Sequence, residues 1–199
     1  MAEDIIDEPD RDGYAAANRD AIYRLITGSR PDDLGEIVRA LGGTREVARI
    51  TGRSQRTVQR WITTATQRIA APRPDARDAL NTAFGQARST REGRQRIAAT
   101  RRATLMRHHG ARMRGAARSG PVTAAGTRAY VKNRVWNHGV GADTMNATFD
   151  AYIEGGDQAA FAAFNGSFGD NYGSDGAYFD EFLFTDMSGL FFTPDTGAD

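Results

Sequence analysis

Cysteine is absent from the 199-residue sequence, which excludes a disulfide framework, a thiolate metal site and a cysteine nucleophile and points to a reducing intracellular setting. Missing too is any run approaching the roughly 18 to 20 apolar residues that a membrane span requires. The start MAEDIIDEPDRD is acidic where a secretory signal is basic and apolar, so a cytoplasmic chain without a membrane partner is expected. There is no Gly-rich phosphate loop of the Walker or Rossmann kind. His108 and His109 stand together in a basic stretch with no third ligand nearby, and Asp170, Asp175, Asp180 and Glu181 match no calcium-loop spacing and read as a solvated acidic face. No metal and no cofactor are expected, and the chain does not read as an enzyme.

What is present is charge, unevenly distributed. The formal net charge is only +1, yet residues 1–43 carry 5 arginines against 10 acidic residues, −5, and residues 119–199 carry 3 basic against 11 acidic residues, −8. Between them, residues 44–118 carry 18 arginines against 4 acidic residues, +14. A basic block between acidic flanks is the electrostatic footprint of a polyanion-binding module, because each neutralised phosphate releases condensed counterions. Nucleic acid is the expected partner and the nucleoid the expected location; the plain counter-reading is solvated surface charge.

The pattern of apolar residues and breakers predicts a mostly α N-terminal region with Arg-rich helices, followed by a small α+β C-terminal domain. Residues 1–12 read as a disordered acidic tail and residues 13–118 as a helical DNA-binding domain. Within it a helix is expected from Tyr14 to about Thr27, and a second opened by Pro31 and ended by Gly42 and Gly43. Beyond Pro72 and Pro74, Leu80, Phe84 and Ala87 start a long Ala- and Arg-rich helical run to about Arg118, interrupted near Gly85, Gly93 and Gly110. SGPVTAAGT, residues 119–127, reads as a flexible linker. Residues 128–194 read as the α+β unit: a strand over about 127–137, helices around Met145–Ile153 and Phe161–Phe168, then β in FDEFLFTD and GLFFT, with 195–199 a tail. Phe161, Phe164, Phe168, Phe179, Phe182 and Phe184 read as its core.

The segment GGTREVARITGRSQRTVQRWITT reads as helix, sharp turn, helix, centred on residues 44–63. Such a motif needs a small residue where the helices cross, glycine at the turn, and apolar anchors into the core. Ala48, Gly52, Val47, Val58 and Trp61 stand in register for this, with Thr44 and Ser54 as expected N-caps. Thr51 and Arg53 fall where aliphatic residues are usual, and Ile50 is the candidate to supply that packing. The second helix would offer Ser54, Gln55, Arg56, Thr57 and Arg60 to the major groove, Gln55 suited to adenine and Arg56 or Arg60 to guanine, while Arg45 and Arg53 suit phosphates.

The stretch GTREVARITGRSQRTVQRWI resembles the corresponding part of actinobacterial (Streptomyces-type) telomere terminal proteins, which cap the 5′ ends of linear chromosomes and plasmids. The basic helical region, GPVTAAGTRAYVK and FTDMSGLFF keep that family's order, more loosely. The resemblance implies a protein primer: a side-chain hydroxyl accepts the first nucleotide in a reaction carried out by a DNA polymerase. It also implies duplex DNA, telomeric single-stranded DNA and a telomere-associated partner protein as ligands. The family's acceptor is a threonine just after a proline matching Pro121, which makes Thr123 and Thr127 the candidates, with Ser119 a third, and Arg114, Arg118 and Arg128 the surrounding phosphate-holding charge. Two other readings remain open. One is a transcriptional regulator or plasmid-maintenance factor, whose C-terminal unit would form a homodimer on a palindromic site. The other is a nucleoid-type structural protein with salt-sensitive, sequence-independent binding.

Overall fold

A computed structural model of the protein describes residues 4–63, 71–172 and 181–196. Asp175, Asp180 and Phe179 lie outside the described residues. Among the described residues the chain is mostly helical with one four-stranded antiparallel sheet, an α+β architecture. Among the described residues no helix is long and apolar enough to cross a membrane.

The chain begins with a strand, β1 (Asp4–Asp7), and then α1 (Arg11–Ala17), whose first turn is held by the Asp10 carboxylate accepting from Gly13 N at 2.9 Å. Residues 1–12, expected as a disordered tail, are therefore ordered from Asp4 onward: β1 pairs antiparallel with residues 128–131. The helix expected from Tyr14 to Thr27 is divided at Asn18 into α1 and α2 (Arg19–Thr27). Asn18 is buried, its Nδ2 donating to the carbonyl of Phe184 at 3.2 Å and its Oδ1 accepting from Met187 N at 2.6 Å, so its side chain serves a distant strand. Next comes α3 (Leu34–Ala40), opened by Asp33 accepting from Glu36 N and not by Pro31. The helical series continues with α4 (Thr44–Thr51), α5 (Gln55–Ile62), α6 (Pro74–Ser89) and α7 (Arg91–Arg107). Pro74 occupies the first turn of α6, and Thr90 caps α7 by accepting from Gly93 N.

The largest departure from the sequence reading follows α7. The helical run expected to Arg118 stops at Arg107; the chain turns at His109 and Gly110 and continues as β2 (Gly110–Pro121). β2 and β3 (Arg128–Gly141) form a hairpin, and β4 (Phe182–Pro194) lies on the other side of β2, giving the order β1-β3-β2-β4. The boundary expected at 118/119 thus falls inside a strand, and the expected flexible linker 119–127 is the end of β2 and its hairpin turn. Between β3 and β4 run α8 (Ala142–Gly155) and α9 (Asp157–Tyr172).

Pairing decides this outcome over local propensity. Gly115 stands opposite both Trp136 and Leu190, Ala111 opposite Val140, and Ser119 opposite Phe184, so small residues in the middle strand face large buried ones on its neighbours. A Cβ at Gly120 would fall within bonding range of the Tyr130 carbonyl oxygen. Below the sheet the rings interlock: Trp136 lies 5.5 Å from Phe168 edge-on, and Phe168 lies 5.3 Å from Phe184. Phe161, Phe164, Phe168, Phe182 and Phe184 are all buried, and the hydrophobic core continues without interruption to Ile22, Leu25, Val47 and Trp61 of the N-terminal helices.

Gly120→Ala is expected to lower unfolding free energy by roughly 3 kcal/mol or more, because two backbones must part. Gly85→Ala, on the exposed face of α6 with nothing within 4 Å of the new methyl, is expected to raise it by about 0.5 to 1 kcal/mol. Chemical denaturation of the two variants reads both signs. A second expectation concerns pH. Burial, reinforced by the Arg112 guanidinium, holds His138 below its ordinary value of 6.5. The unfolded chain then binds that proton more readily than the folded one, so this contribution is complete above 6.5 and is lost as pH falls below it. The thermal midpoint should drop from about pH 7 to about pH 5, and His138→Gln should flatten that part of the profile.

Candidate nucleic-acid interface

α4 and α5 are joined by Gly52, Arg53 and Ser54. Gly52 ends α4 in the left-handed conformation (φ 63°, ψ 24°), which a side chain would strain, and its N–H returns to the Ala48 carbonyl. Ser54 caps α5, its Oγ accepting from Thr57 N at 3.2 Å and lying 2.9 Å from Thr57 Oγ1. At the start of α4 the cap is Gly43, with Thr44 as the first helical residue; the Thr44 hydroxyl instead accepts from Gln55 Nε2 at 3.0 Å, fastening one helix to the other. Val47, Val58 and Trp61 are buried, and Ala48 and Ile50 pack partly buried against the core. Thr51, the unusual residue at an aliphatic position, donates its hydroxyl to the Val47 carbonyl at 2.8 Å.

The seven residues expected to face DNA therefore divide into two groups. Ser54, Gln55 and Thr57 hold the turn together, and Arg53 pairs with Asp75 in the first turn of α6. Arg45, Arg56 and Arg60 are exposed and have no hydrogen-bond or ion-pair partner among the described residues. Gln59, which the sequence reading did not single out, is exposed one turn after Gln55 and next to Arg60. Only the period of α5, with Val58 and Trp61 fixed inward, identifies it.

The wider basic block is less available than its charge suggests. Arg88 pairs with Asp157, Arg91 with Glu154, Arg102 with Asp150, Arg112 with Asp195 at 3.6 Å and Arg118 with Asp4, each joining the block to an acidic flank. Arg94 and Arg101 donate to the backbone carbonyls of Glu154 and Phe192. Much of the charge segregation is thus internal complementarity, and α4–α5 carries three of the arginines it leaves without a partner.

The three candidate acceptor hydroxyls sit in unlike places. Ser119 is fully buried in β2, its Oγ without a partner, so the exposed, mobile setting expected of it is not found. Thr123 is half-buried at the hairpin turn, its Oγ1 accepting from Arg128 N at 3.2 Å and its N–H donating to the Arg128 carbonyl. Thr127 is exposed and its hydroxyl has no partner among the described residues, while its carbonyl accepts from Glu8 N at 2.7 Å. β1 also alters the charge expected here, since Asp4 pairs with Arg118 and Asp7 with Arg128. Both pairs are largely exposed and weak in water, so neither arginine is locked away from a competing phosphate.

No protein-family model, curated protein or solved structure matches this chain.

Proposed function

We propose that this chain binds duplex DNA by laying α5 in the major groove, and that it serves as the terminal protein of a linear replicon. The observation that carries the first part is the exposed, unpartnered set Arg45, Arg56 and Arg60 on a helix pair whose own turn is closed by Ser54, Gln55 and Thr57. Rigid caps leave the arginines as the groups with unused donors, and a guanidinium matches both the guanine major-groove edge and a phosphate. The second part is supported by the likeness of GTREVARITGRSQRTVQRWI to telomere terminal proteins and by the free hydroxyl of Thr127. In priming, Thr127 Oγ would attack the α-phosphorus of a deoxynucleoside triphosphate. A phosphodiester bond to Oγ forms, the bond from the α-phosphorus to the bridging oxygen breaks, pyrophosphate leaves, and the hydroxyl proton passes to solvent or to a base of the polymerase. The polymerase supplies the metal ions, and the chain is a substrate that keeps the nucleotide. A telomere-associated protein that brings the chain to single-stranded overhangs completes the proposal.

Arg56→Ala and Arg60→Ala are each expected to weaken binding to a specific duplex by about 1 to 3 kcal/mol while changing affinity for random duplex less. Arg53→Ala should have a smaller effect, because Arg53 already has Asp75. Equal losses on both duplexes for all variants, in titrations at matched salt, would remove α5 from the groove.

Priming has its own expectation. With a DNA polymerase, telomeric template and labelled deoxynucleotide, label should transfer to wild-type protein and to Thr123→Val, and fall at least tenfold in Thr127→Val. Undiminished labelling of Thr127→Val would move the acceptor elsewhere. Protein that binds a palindromic duplex but never takes label, even with the partner protein present, would instead be a regulator.

A further inference from the structure

Between α1 and α9 lies a cavity of about 610 Å³ that the DNA-binding surface does not use. Its walls are mixed: Ala15, Ala159 and Phe161 are apolar, while Asp12 and Gln158 line it as a hydrogen-bonded pair at 2.6 Å. Asn165 also lines it, without a partner. It is 1% exposed, its Oδ1 is buried without a partner, and its Nδ2 makes no hydrogen bond among the described residues. A buried carboxamide with both ends unused is an incomplete pair: turned into the cavity it offers one acceptor beside one donor, which a heteroaromatic edge carrying a donor beside an acceptor completes bidentately.

The position of the cavity is as informative as its lining. Arg11 and Glu181 stand at its edge and pair with each other at 2.6 Å. The same Arg11 donates to the Gly126 carbonyl at 3.1 Å, and the Glu181 carbonyl accepts from Val122 N at 3.0 Å. The turn carrying Thr123 and Thr127 is therefore fastened to the rim. With Arg11 already matched by Glu181, and Asp12 also lining the space, the cavity holds a net negative charge and suits a neutral occupant better than a free phosphate.

We propose that this cavity is a nucleoside pocket, in which the Asn165 carboxamide pairs with the base edge while any phosphate stays outside, beside the turn and Arg128. This rests on the primer reading for the choice of a nucleoside as occupant, and it adds where the base of an incoming or attached nucleotide is held. Phe161 and the alanines flank the base, and Arg11 fixes the rim against the turn.

The test is ligand-observed NMR titration of the full chain with deoxyadenosine, deoxycytidine, deoxyguanosine and thymidine, and with inorganic phosphate as the anion probe. Saturable binding of at least one nucleoside is expected, weakened at least tenfold in Asn165→Leu and lost in Ala162→Phe, which fills the space from an exposed position on α9. Asn165→Leu exchanges an unpartnered buried amide for an apolar group of similar shape, so its thermal midpoint should equal or exceed that of wild type. No saturable nucleoside binding, binding indifferent to both variants, or binding of phosphate alone overturns the proposal. Nucleoside binding without label transfer to the protein leaves the pocket standing and removes the primer reading. Label transfer without nucleoside binding does the reverse.

Discussion

The architecture depends on how little side chain β2 carries. A central strand with glycine at 115 and 120, and alanine or serine at 111, 117 and 119, lets its neighbours close in from both sides. Trp136 on β3 and Phe182 and Phe184 on β4 then meet over it, the tryptophan ring 5.7 Å from each phenylalanine. The large rings need the small strand: were β2 aromatic too, the interdigitation that gives protein interiors their density could not be reached. Because α7 leads directly into β2, the same constraint sets where the helical half ends and how it meets the sheet.

Arginine plays two parts that the net charge conceals. Along α6 and α7 it joins halves of the molecule: Arg88, Arg91 and Arg102 reach acidic partners on or at the ends of α8 and α9, and the Arg88 guanidinium also lies 5.0 Å above the Tyr23 ring. Such pairs are individually weak when exposed, but they give each helix a preferred neighbour. On α4 and α5 the same residue type meets no acid at three positions. The contrast between matched and unmatched arginine is a better guide to a polyanion surface than the sum over the block.

What the sequence made legible follows from how local each signal is. The α4–α5 pair was readable because its Ser54 cap, its glycine turn and its inward Val47, Val58 and Trp61 all lie within twenty residues, whereas the expected Thr44 cap gave way to Gly43. The strand near 127–137 and the phenylalanine core were readable for a similar reason, aromatic and β-branched residues being poor helix formers. β2 was not: Ala, Arg and Met favour a helix in isolation, and only partners 15 to 29 residues away on β3 and 68 to 83 residues away on β4 make ARMRGAAR a strand. β1 failed likewise, since DIID has little to bury until β3 offers it an edge. At the candidate site, the availability of side chains was not legible, because hydrogen bonding among Ser54, Thr57, Gln55 and Thr44 is a property of three dimensions.

The pairing of β1 with β3 also orders events in time. Asp4 is made before its partner Val131 and before all the helices that lie between them, and Glu181, which clasps Arg11, comes later still. A ribosome adding about 5 to 20 residues per second leaves β1 without its edge while the whole helical half is made. The turn bearing Thr127 is bracketed by these late contacts, through Glu8 on one side and Arg11 on the other. Its full set of restraints, with Glu181 holding both Arg11 and Val122 N, can be complete only after residue 181 has been made.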